Sequence, residues 1–452
     1  MGTLGSKIKR GLLFGGDLAF LYISLWLTLL IRYGLKIKDI HPDLQNPLLL
    51  PFTIIYIVWL IVFYIIGLYD LQIARNNLNF YATLFKALLI NASLGIAFFY
   101  FIPYFGVTPK TILFINLLVF ALLWSGWRQI YNKLIAASVF LNNVFFIGET
   151  KETKDLVEYI KKNPQLGFRI KKVAQPQEVA LIFDLIEYLI KDRIQTIVTA
   201  IDPRNDIMLV RNLYYCLPLN ITLYDLPTFY EKITGKVPIS AIEKIWFLEN
   251  LMREKKSVYE SVKRAFDIIF ALILGIISLA LFPFIALAIK IDSAGPVFYK
   301  QKRVGENNQI FNIYKFRSMI KDAEKDGAKW ARKKDERVTK VGKFLRASRL
   351  DELPQLLNVL RGDMSFVGPR PERPEFVFGA NLQRQIPFYQ IRHLVKPGLT
   401  GWAQINFEYG ASLEDTIEKQ QYDLFYNKNR SFVLDAGIVL KTIKIVLSAA
   451  GR

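Results

Sequence analysis

Thiol and imidazole chemistry are nearly missing from this chain. Cys216 is the single cysteine among 452 residues, and His41 and His393 are the only histidines. One thiol excludes an intramolecular disulfide and a thiolate-rich metal site, and it suits soluble parts kept in a reducing cytoplasm. Two histidines argue against a zinc centre or a Ser-His triad. Acidic residues are also scarce: 39 Asp and Glu stand against 59 Lys and Arg, for a net charge of +20. What is abundant is apolar, at 52% of residues, and mean hydropathy is positive. A basic excess accompanied by long apolar runs points to anionic lipid headgroups and phosphorylated substrates as partners, and not to nucleic acid. The length exceeds what one core usually fills, so two or three domains are expected.

Lys7, Lys9 and Arg10 precede an apolar run over residues 11–31. That run is too long for the core of a signal peptide, carries Asp17 and lacks a small-residue cleavage site after it, so it reads as a transmembrane helix. Further runs at 48–68, 84–102 and 111–127 each approach the ~20 residues that cross a bilayer. Residues 1–140 are thus expected to form a four-span helical region that returns the chain to its starting side. Arg32, Lys36 and Lys38 fall in the first outer loop, while Arg128 and Lys133 follow the fourth span on the presumed cytoplasmic side.

The texture from 141 to 255 is soluble, with β-like runs at 144–147, 196–200 and 221–224 separated by helix-like segments. Such alternation predicts a small Rossmann-like α/β domain with a parallel sheet. Its first turn reads Gly148-Glu149-Thr150 where a dinucleotide site requires G-x-G-x-x-G, so a module without bound dinucleotide is expected. A third domain, 256–452, opens on an apolar helix at about 266–290, whose uncharged stretch 268–289 is long enough to span. Pro283 lies inside it and can break it, so that the chain re-enters the leaflet it came from. Local physics leaves spanning and re-entry both open. Lys263, Arg264 and Lys290 flank the stretch at headgroup depth, and the tail 432–449 has the spacing of an amphipathic helix with Lys441 and Lys444 on another face.

Chemistry concentrates in the last third. Lys315-Phe316-Arg317-Ser318-Met319 is followed by Asp335 and Arg337, then by Arg346-Ala347-Ser348-Arg349-Leu350-Asp351-Glu352-Leu353-Pro354. Next come Met364-Ser365-Phe366-Val367-Gly368-Pro369-Arg370-Pro371 and Lys396-Pro397-Gly398-Leu399-Thr400-Gly401-Trp402-Ala403-Gln404. Guanidinium groups on Gly- and Pro-rich turns around one carboxylate pair suit phosphate oxygens, and Asp351 with Glu352 can hold Mg²⁺ across a pyrophosphate. A site of that kind performs phosphoryl transfer through positioning and charge neutralisation. The plainer alternative makes Ser348 an N-cap and Asp351 its capping-box carboxylate. Against it, Arg346 and Arg349 flank the pair and should lower its pKa toward a permanently ionised nucleophile able to form an acyl phosphate. Lys315 and Arg317 fit a lipid-facing basic strand equally well, the Gly368–Pro371 string fits a rigid turn, Trp402 fits a core aromatic, and Asp423 and Asp435 fit surface or capping groups.

Together these strings, with the Phe282-Pro283 break, resemble the bacterial sugar transferase family of polyprenyl-phosphate phosphoglycosyl transferases. The four spans and degenerate α/β unit are similar to its polytopic branch. The resemblance implies a mixed, mainly α catalytic domain with a re-entrant membrane helix broken at Pro283, lying on the cytoplasmic face of a bacterial inner membrane. It implies that Asp351 attacks the β-phosphate of a UDP-sugar, releases UMP and passes the sugar phosphate to polyprenol phosphate, initiating exopolysaccharide or O-antigen-type assembly. Glu352 would share Mg²⁺ with Asp351; Arg346, Arg370, Lys315 and Arg317 would hold phosphate; Pro369, Pro371 and Gln404 would lie near the nucleotide. A homodimer is a further expectation. One departure stands out: many members continue Asn-Gly-Arg after Trp-Ala-Gln, whereas this chain has Asn406-Phe407-Glu408, and Glu408 cannot replace a phosphate-binding arginine. A non-catalytic membrane scaffold and an inverting glycosyltransferase that releases UDP remain the rival classes.

Overall fold

The computed structural model describes residues 4–34, 42–70, 76–102, 110–136, 141–179, 182–201, 206–251, 257–321, 323, 335–379, 382–407 and 412–447. The loop cations Lys36 and Lys38 and the divergent Glu408 lie outside this set. The chain divides into two compact units, Met1–Ile233 and Thr234–Arg452.

The first unit begins with four helices, α1 (Leu4–Tyr33), α2 (Pro42–Ile66), α3 (Leu78–Phe101) and α4 (Lys110–Ala136). Each contains a segment long and apolar enough to cross a membrane: Lys9–Tyr33, Leu48–Ile66, Leu78–Phe101 and Thr111–Leu134. The third starts earlier than hydropathy alone suggests, because Asn77 caps it by accepting from the Phe80 amide at 2.9 Å.

Asp17 does not interrupt its span, because its charge is answered within the bundle. Trp124 Nε1 donates to Asp17 Oδ1 at 2.8 Å and Arg128 Nε at 3.1 Å, while Arg128 Nη2 donates to Oδ2. The same guanidinium gives Nη1 to the Leu68 carbonyl at 2.7 Å and lies over the Trp124 and Tyr69 rings. Arg128 is therefore a buried helix-interior residue and not a loop cation marking the cytoplasmic side: α4 continues past 127 because Asp17 neutralises it. Close approach of α1 and α4 at this level requires Gly16, since a Cβ there would sit 2.1 Å from the Trp127 ring. About two turns further along α1, Tyr56, Asn116 and Ser24 form a second polar link at 3.1 Å per bond. Such links hold apolar helices together where water-driven association is absent.

The α/β part runs β1 (Asn142–Ile147), α5 (Lys151–Lys162), β2 (Phe168–Ala174), α6 (Ile182–Lys191), β3 (Thr196–Thr199), α7 (Ile207–Tyr215), β4 (Thr222–Asp225) and α8 (Leu226–Thr234). All four strands are parallel, in the order β2-β1-β3-β4. β2 has no apolar run in the sequence because it is an edge strand, with Lys171 paired to Asp192 and Lys172 to Glu178.

The second unit starts at Thr234, well before the composition shift near 255. Val237, Ile239, Trp246 and Phe247, the last two from α9 (Lys244–Leu251), pack on Leu424 and Phe425 of the C-terminal helices. Then follow α10 (Ser257–Leu279), α11 (Phe282–Asp292), the hairpin β5 (Phe298–Val304) and β6 (Ile310–Phe316), α12 (Lys340–Ala347), a 3₁₀ turn (Leu350–Gln355) and α13 (Leu356–Arg361). The chain closes with β7 (Ser365–Val367), α14 (Leu382–Gln385), β8 (Gly398–Thr400), α15 (Trp402–Asn406), α16 (Leu413–Asn429) and α17 (Phe432–Leu447). α10 and α11 meet at a bend of 58°. Pro283 sits in the first turn of α11, where its missing N–H removes no helical bond.

Breaking the Asp17–Arg128 pair from one side leaves a bare charge in the bundle. Asp17→Leu and Arg128→Met should each cost about 3–5 kcal/mol, whereas the double variant should lose clearly less than their sum. Unfolding of the purified chain in micelles measures this, and additive losses would show that the two side chains are not coupled.

Candidate active site

Lys315 is the penultimate residue of β6, and the antiparallel register sets it opposite Tyr299 of β5. α12 delivers Arg346 in its last turn and stops at Ser348, whose Oγ donates back to the Phe344 carbonyl at 2.7 Å. Ser348 thus closes the preceding helix and does not open the next one. The capping-box alternative for Asp351 falls with it: the residue at the start of the 3₁₀ turn is Arg349, left-handed at φ 56° and without a side-chain cap. The reversal at Arg349 turns Asp351 and Glu352 inward, so that Asp351 is buried and the Glu352 side chain is 13% exposed.

Three cations converge on Glu352. Lys315 Nζ and Arg370 Nη2 reach Oε1 at 3.0 and 2.9 Å, and Arg349 Nη1 stands 3.7 Å from Oε2. Burial works against the charge on Glu352, but Lys315, Arg370 and Arg349 overcome it and hold the carboxyl well below the usual range. Asp351 behaves differently. Its carboxylate has no hydrogen-bond partner among the described residues, and burial pushes it up to about 6, with Lys315 opposing and the Glu352 charge adding to the rise. The expectation that flanking arginines depress both members therefore holds for Glu352 and fails for Asp351, because desolvation outweighs Arg346 and Arg370 there.

Arg370 comes from the opposite side, beyond β7. Here β7 and β8 run parallel, and their continuations touch so closely that a Cβ on Gly368 would lie 2.3 Å from the Lys396 carbonyl and one on Gly398 would lie 2.1 Å from the Gly368 amide. The next four carbonyls are each taken by a different donor: Pro369 by the Gly398 amide at 2.9 Å, Arg370 by Arg392 Nη2 at 3.1 Å, Pro371 by Arg303 Nη1 at 3.0 Å, and Glu372 by the Val304 amide at 2.9 Å. Arg392 in turn pairs with Asp423 at 2.8 Å, both deeply buried. Burial pushes Asp423 up to about 6 with Arg392 opposing, so Asp423 is an interior charge and not a surface group. Asp435 is likewise no simple cap, since it accepts from Lys263 at 2.6 Å and Tyr259 at 2.7 Å.

Of the residues singled out by sequence, Asp351, Glu352, Lys315 and Arg370 come together. Arg346 acts on Asp351 by charge while its Nε donates to Ser318 Oγ at 2.8 Å. Arg317 is spent elsewhere, on the Ser293 and Ala294 carbonyls beyond α11 at 2.6 and 3.1 Å. Pro369 and Pro371 contribute held carbonyls, Gln404 Nε2 turns to the Leu399 carbonyl at 3.4 Å, and Trp402 is a core residue stacked on Phe425. Arg337 forks onto Asp335. Arg303, Arg392, Asp423 and Lys263 carry no motif of their own, and Pro371 for Arg303, Asp423 for Arg392 and Asp435 for Lys263 are partners distant in sequence.

Residues 258–449 match the family described as bacterial sugar transferase. The chain is 44% identical over 241 residues to a UDP-N-acetylgalactosamine-undecaprenyl-phosphate N-acetylgalactosaminephosphotransferase of Aeromonas hydrophila, covering 53% of this chain and 56% of that protein. It thus spans little more than half the length of that relative. It is 50% identical over 141 residues to a putative undecaprenyl-phosphate N-acetylgalactosaminyl 1-phosphate transferase of Bacillus subtilis, covering 31% of this chain and 78% of that one. The similarity reaches further along the chain with a UDP-glucose:undecaprenyl-phosphate glucose-1-phosphate transferase of Xanthomonas campestris, 33% identical over 342 residues, 71% of this chain and 69% of the relative. With this coverage and the Asp351-Glu352 pair in the matched region, the chain belongs to the bacterial sugar transferase family.

Proposed function

We propose that the chain transfers a sugar 1-phosphate from a UDP-sugar to polyprenol phosphate, yielding a polyprenyl diphosphosugar and UMP. One juxtaposition carries this: Asp351 keeps unbonded carboxylate oxygens beside a Glu352 already neutralised by Lys315, Arg370 and Arg349. An Asp351 oxygen attacks the β-phosphorus, the bond to the bridging oxygen breaks, and UMP leaves with the electron pair. A phosphate oxygen of the lipid acceptor then attacks the same phosphorus and frees the Asp351 carboxylate. The acceptor oxygen is already anionic, so no general base is required. His393, held on Asn308 at 2.6 Å, is accordingly idle.

Mg²⁺ fits the donor set. Among the described residues Asp351 has no hydrogen bond and Glu352 Oε2 has its nearest cation at 3.7 Å, and Mg²⁺ ordinarily takes one or two carboxylates with the rest of its shell from phosphate and water. Held by Asp351 and Glu352, it would neutralise charge on the diphosphate.

The protein is proposed to act at the cytoplasmic face of a bacterial inner membrane, with α10 and α11 entering and leaving the same leaflet. Both ends of the bent pair are anchored in the catalytic domain, which supports re-entry: Asp267 accepts the Phe366 amide at 3.0 Å near one end, and Asp292 accepts the Val341 amide at 2.8 Å at the other. The parallel order of β1 to β4 supports a Rossmann-like module, with Gly148-Glu149-Thr150 too poor in glycine for a dinucleotide.

Purified chain given labelled UDP-glucose or UDP-N-acetylgalactosamine and polyprenol phosphate should release UMP, and Asp351→Asn should reduce it at least about a thousandfold. Release of UDP, or activity surviving in Asp351→Asn, would overturn the mechanism. Since only the carboxylate attacks, the burst of UMP from donor alone should fall off on the acid side as Asp351 protonates, burial having raised its pKa. Lys315→Gln removes a cation that favours the charged form, so its midpoint should move to higher pH; an unmoved or lowered midpoint would contradict the electrostatics. For the topology, Glu260→Cys and Lys300→Cys in a Cys216→Ser background should both be modified by an impermeant maleimide from the same side of oriented vesicles. Labelling from opposite sides would exclude re-entry.

A further inference from the structure

Beside the carboxylate pair lies a recess lined by Arg303, Lys315, Gln355 and Arg370, with Ile313, Pro371 and Gly398 completing its walls. Two buried donors here have no acceptor among the described residues: Nε of Arg303 and Nε2 of Gln355. Gln355 is 4% exposed and closes the 3₁₀ turn that carries Asp351 and Glu352. The rest of the Arg303 guanidinium is engaged, Nη1 on the Pro371 carbonyl at 3.0 Å and Nη2 on Gln301 at 2.6 Å, so Nε is a fixed donor and not a mobile one. Burial, only partly answered by Glu372, pulls Arg303 down to about 10, the behaviour of a guanidinium short of a counter-anion.

Buried donors are nearly always satisfied, and a pair left open at one recess is an unexplained expense unless something arrives to fill it. The chemistry of the filler is constrained. Three of the four polar lining groups are cations and the fourth contributes an amide N–H, so the recess wants an acceptor and preferably an anion. A water or a sugar hydroxyl would bring its own protons against this donor set, while Glu352 Oε1, the nearby acceptor, already receives Lys315 and Arg370. The space admits one oxygen-sized group and not a whole phosphate.

We infer that Gln355 and Arg303 form a phosphoryl-oxygen subsite, taking one non-bridging oxygen of the phosphate that Asp351 attacks or of the lipid phosphate that resolves the intermediate. This rests on the transferase proposal above. It adds two contacts to the substrate and explains why Pro371 and Gln301 fix Arg303 so firmly: a donor aimed at a reacting phosphate stabilises it only if it need not reorganise.

Gln355→Leu removes the amide while keeping its bulk, and Gln355→Glu puts a carboxylate into the recess itself. In the full chain in detergent, Gln355→Leu should lose about tenfold to a hundredfold in kcat/KM, the usual loss of a hydrogen bond to a charged group, with Tm unchanged or raised. Gln355→Glu should raise Tm, because its carboxylate meets the unanswered cations, and should be less active still. Loss confined to the UMP burst from donor alone assigns the subsite to the nucleotide sugar; loss confined to the acceptor-dependent step assigns it to the lipid phosphate. Parental kinetics in both variants, or a lowered Tm in Gln355→Leu, would overturn the subsite and leave the transferase proposal standing. Absence of UMP release by the parent chain would instead remove the transferase proposal.

Discussion

Two adjacent carboxylates cannot both stay charged in a buried turn without compensation, and the compensation here is uneven. Lys315, Arg370 and Arg349 act on Glu352, whereas Asp351 receives charge but no hydrogen bond. The result separates two nominally equal acids. Glu352 is an anion that gathers cations, and Asp351 is a desolvated carboxylate whose lone pairs remain available. Had the cations bonded both, the nucleophile would be locked; with neither bonded, the pair would protonate.

Much of the second unit exists to hold those cations in place. Lys315 is fixed by the register of the β5–β6 hairpin, and Arg370 by a segment whose four carbonyls are each claimed by a separate donor. Asn358 joins the two halves: buried in α13, it donates to the Asn312 carbonyl at 2.7 Å and accepts from the Tyr314 amide at 3.2 Å. The same scaffold reaches the apolar helix pair. Lys263 of α10 donates to the Val367 carbonyl at 3.0 Å and Arg264 to the Val359 and Leu360 carbonyls, so the apolar helix α10 and the strand that leads to Arg370 share one frame.

The sequence made the apolar helices, three of the four parallel strands and the core of the site legible, because each depends on local pattern or on a dense string such as Leu350-Asp351-Glu352-Leu353. It hid what depends on pairing across the chain. Arg128 looked like a loop cation until Asp17, 111 residues away, was seen to neutralise it. Asp423 looked superficial because Arg392, its partner, lies 31 residues earlier with no motif linking them. β2 lacked an apolar run because an edge strand needs none. Arg317 matched a functional string yet serves the carbonyls after α11, since spacing in a motif does not fix which way a strand residue's side chain is spent. The pKa of Asp351 could not be judged from neighbouring arginines alone, as burial is a tertiary property.

The central claim is that Asp351 becomes covalently loaded. Intact-mass and peptide-level mass spectrometry of the chain incubated with UDP-sugar and Mg²⁺, without lipid acceptor, tests it most directly. The predicted result is a mass increase of one sugar phosphate, localised to the peptide holding Asp351 and discharged when polyprenol phosphate is added. UMP release in the acceptor's presence with no adduct on Asp351, or an adduct on a different residue, would contradict it.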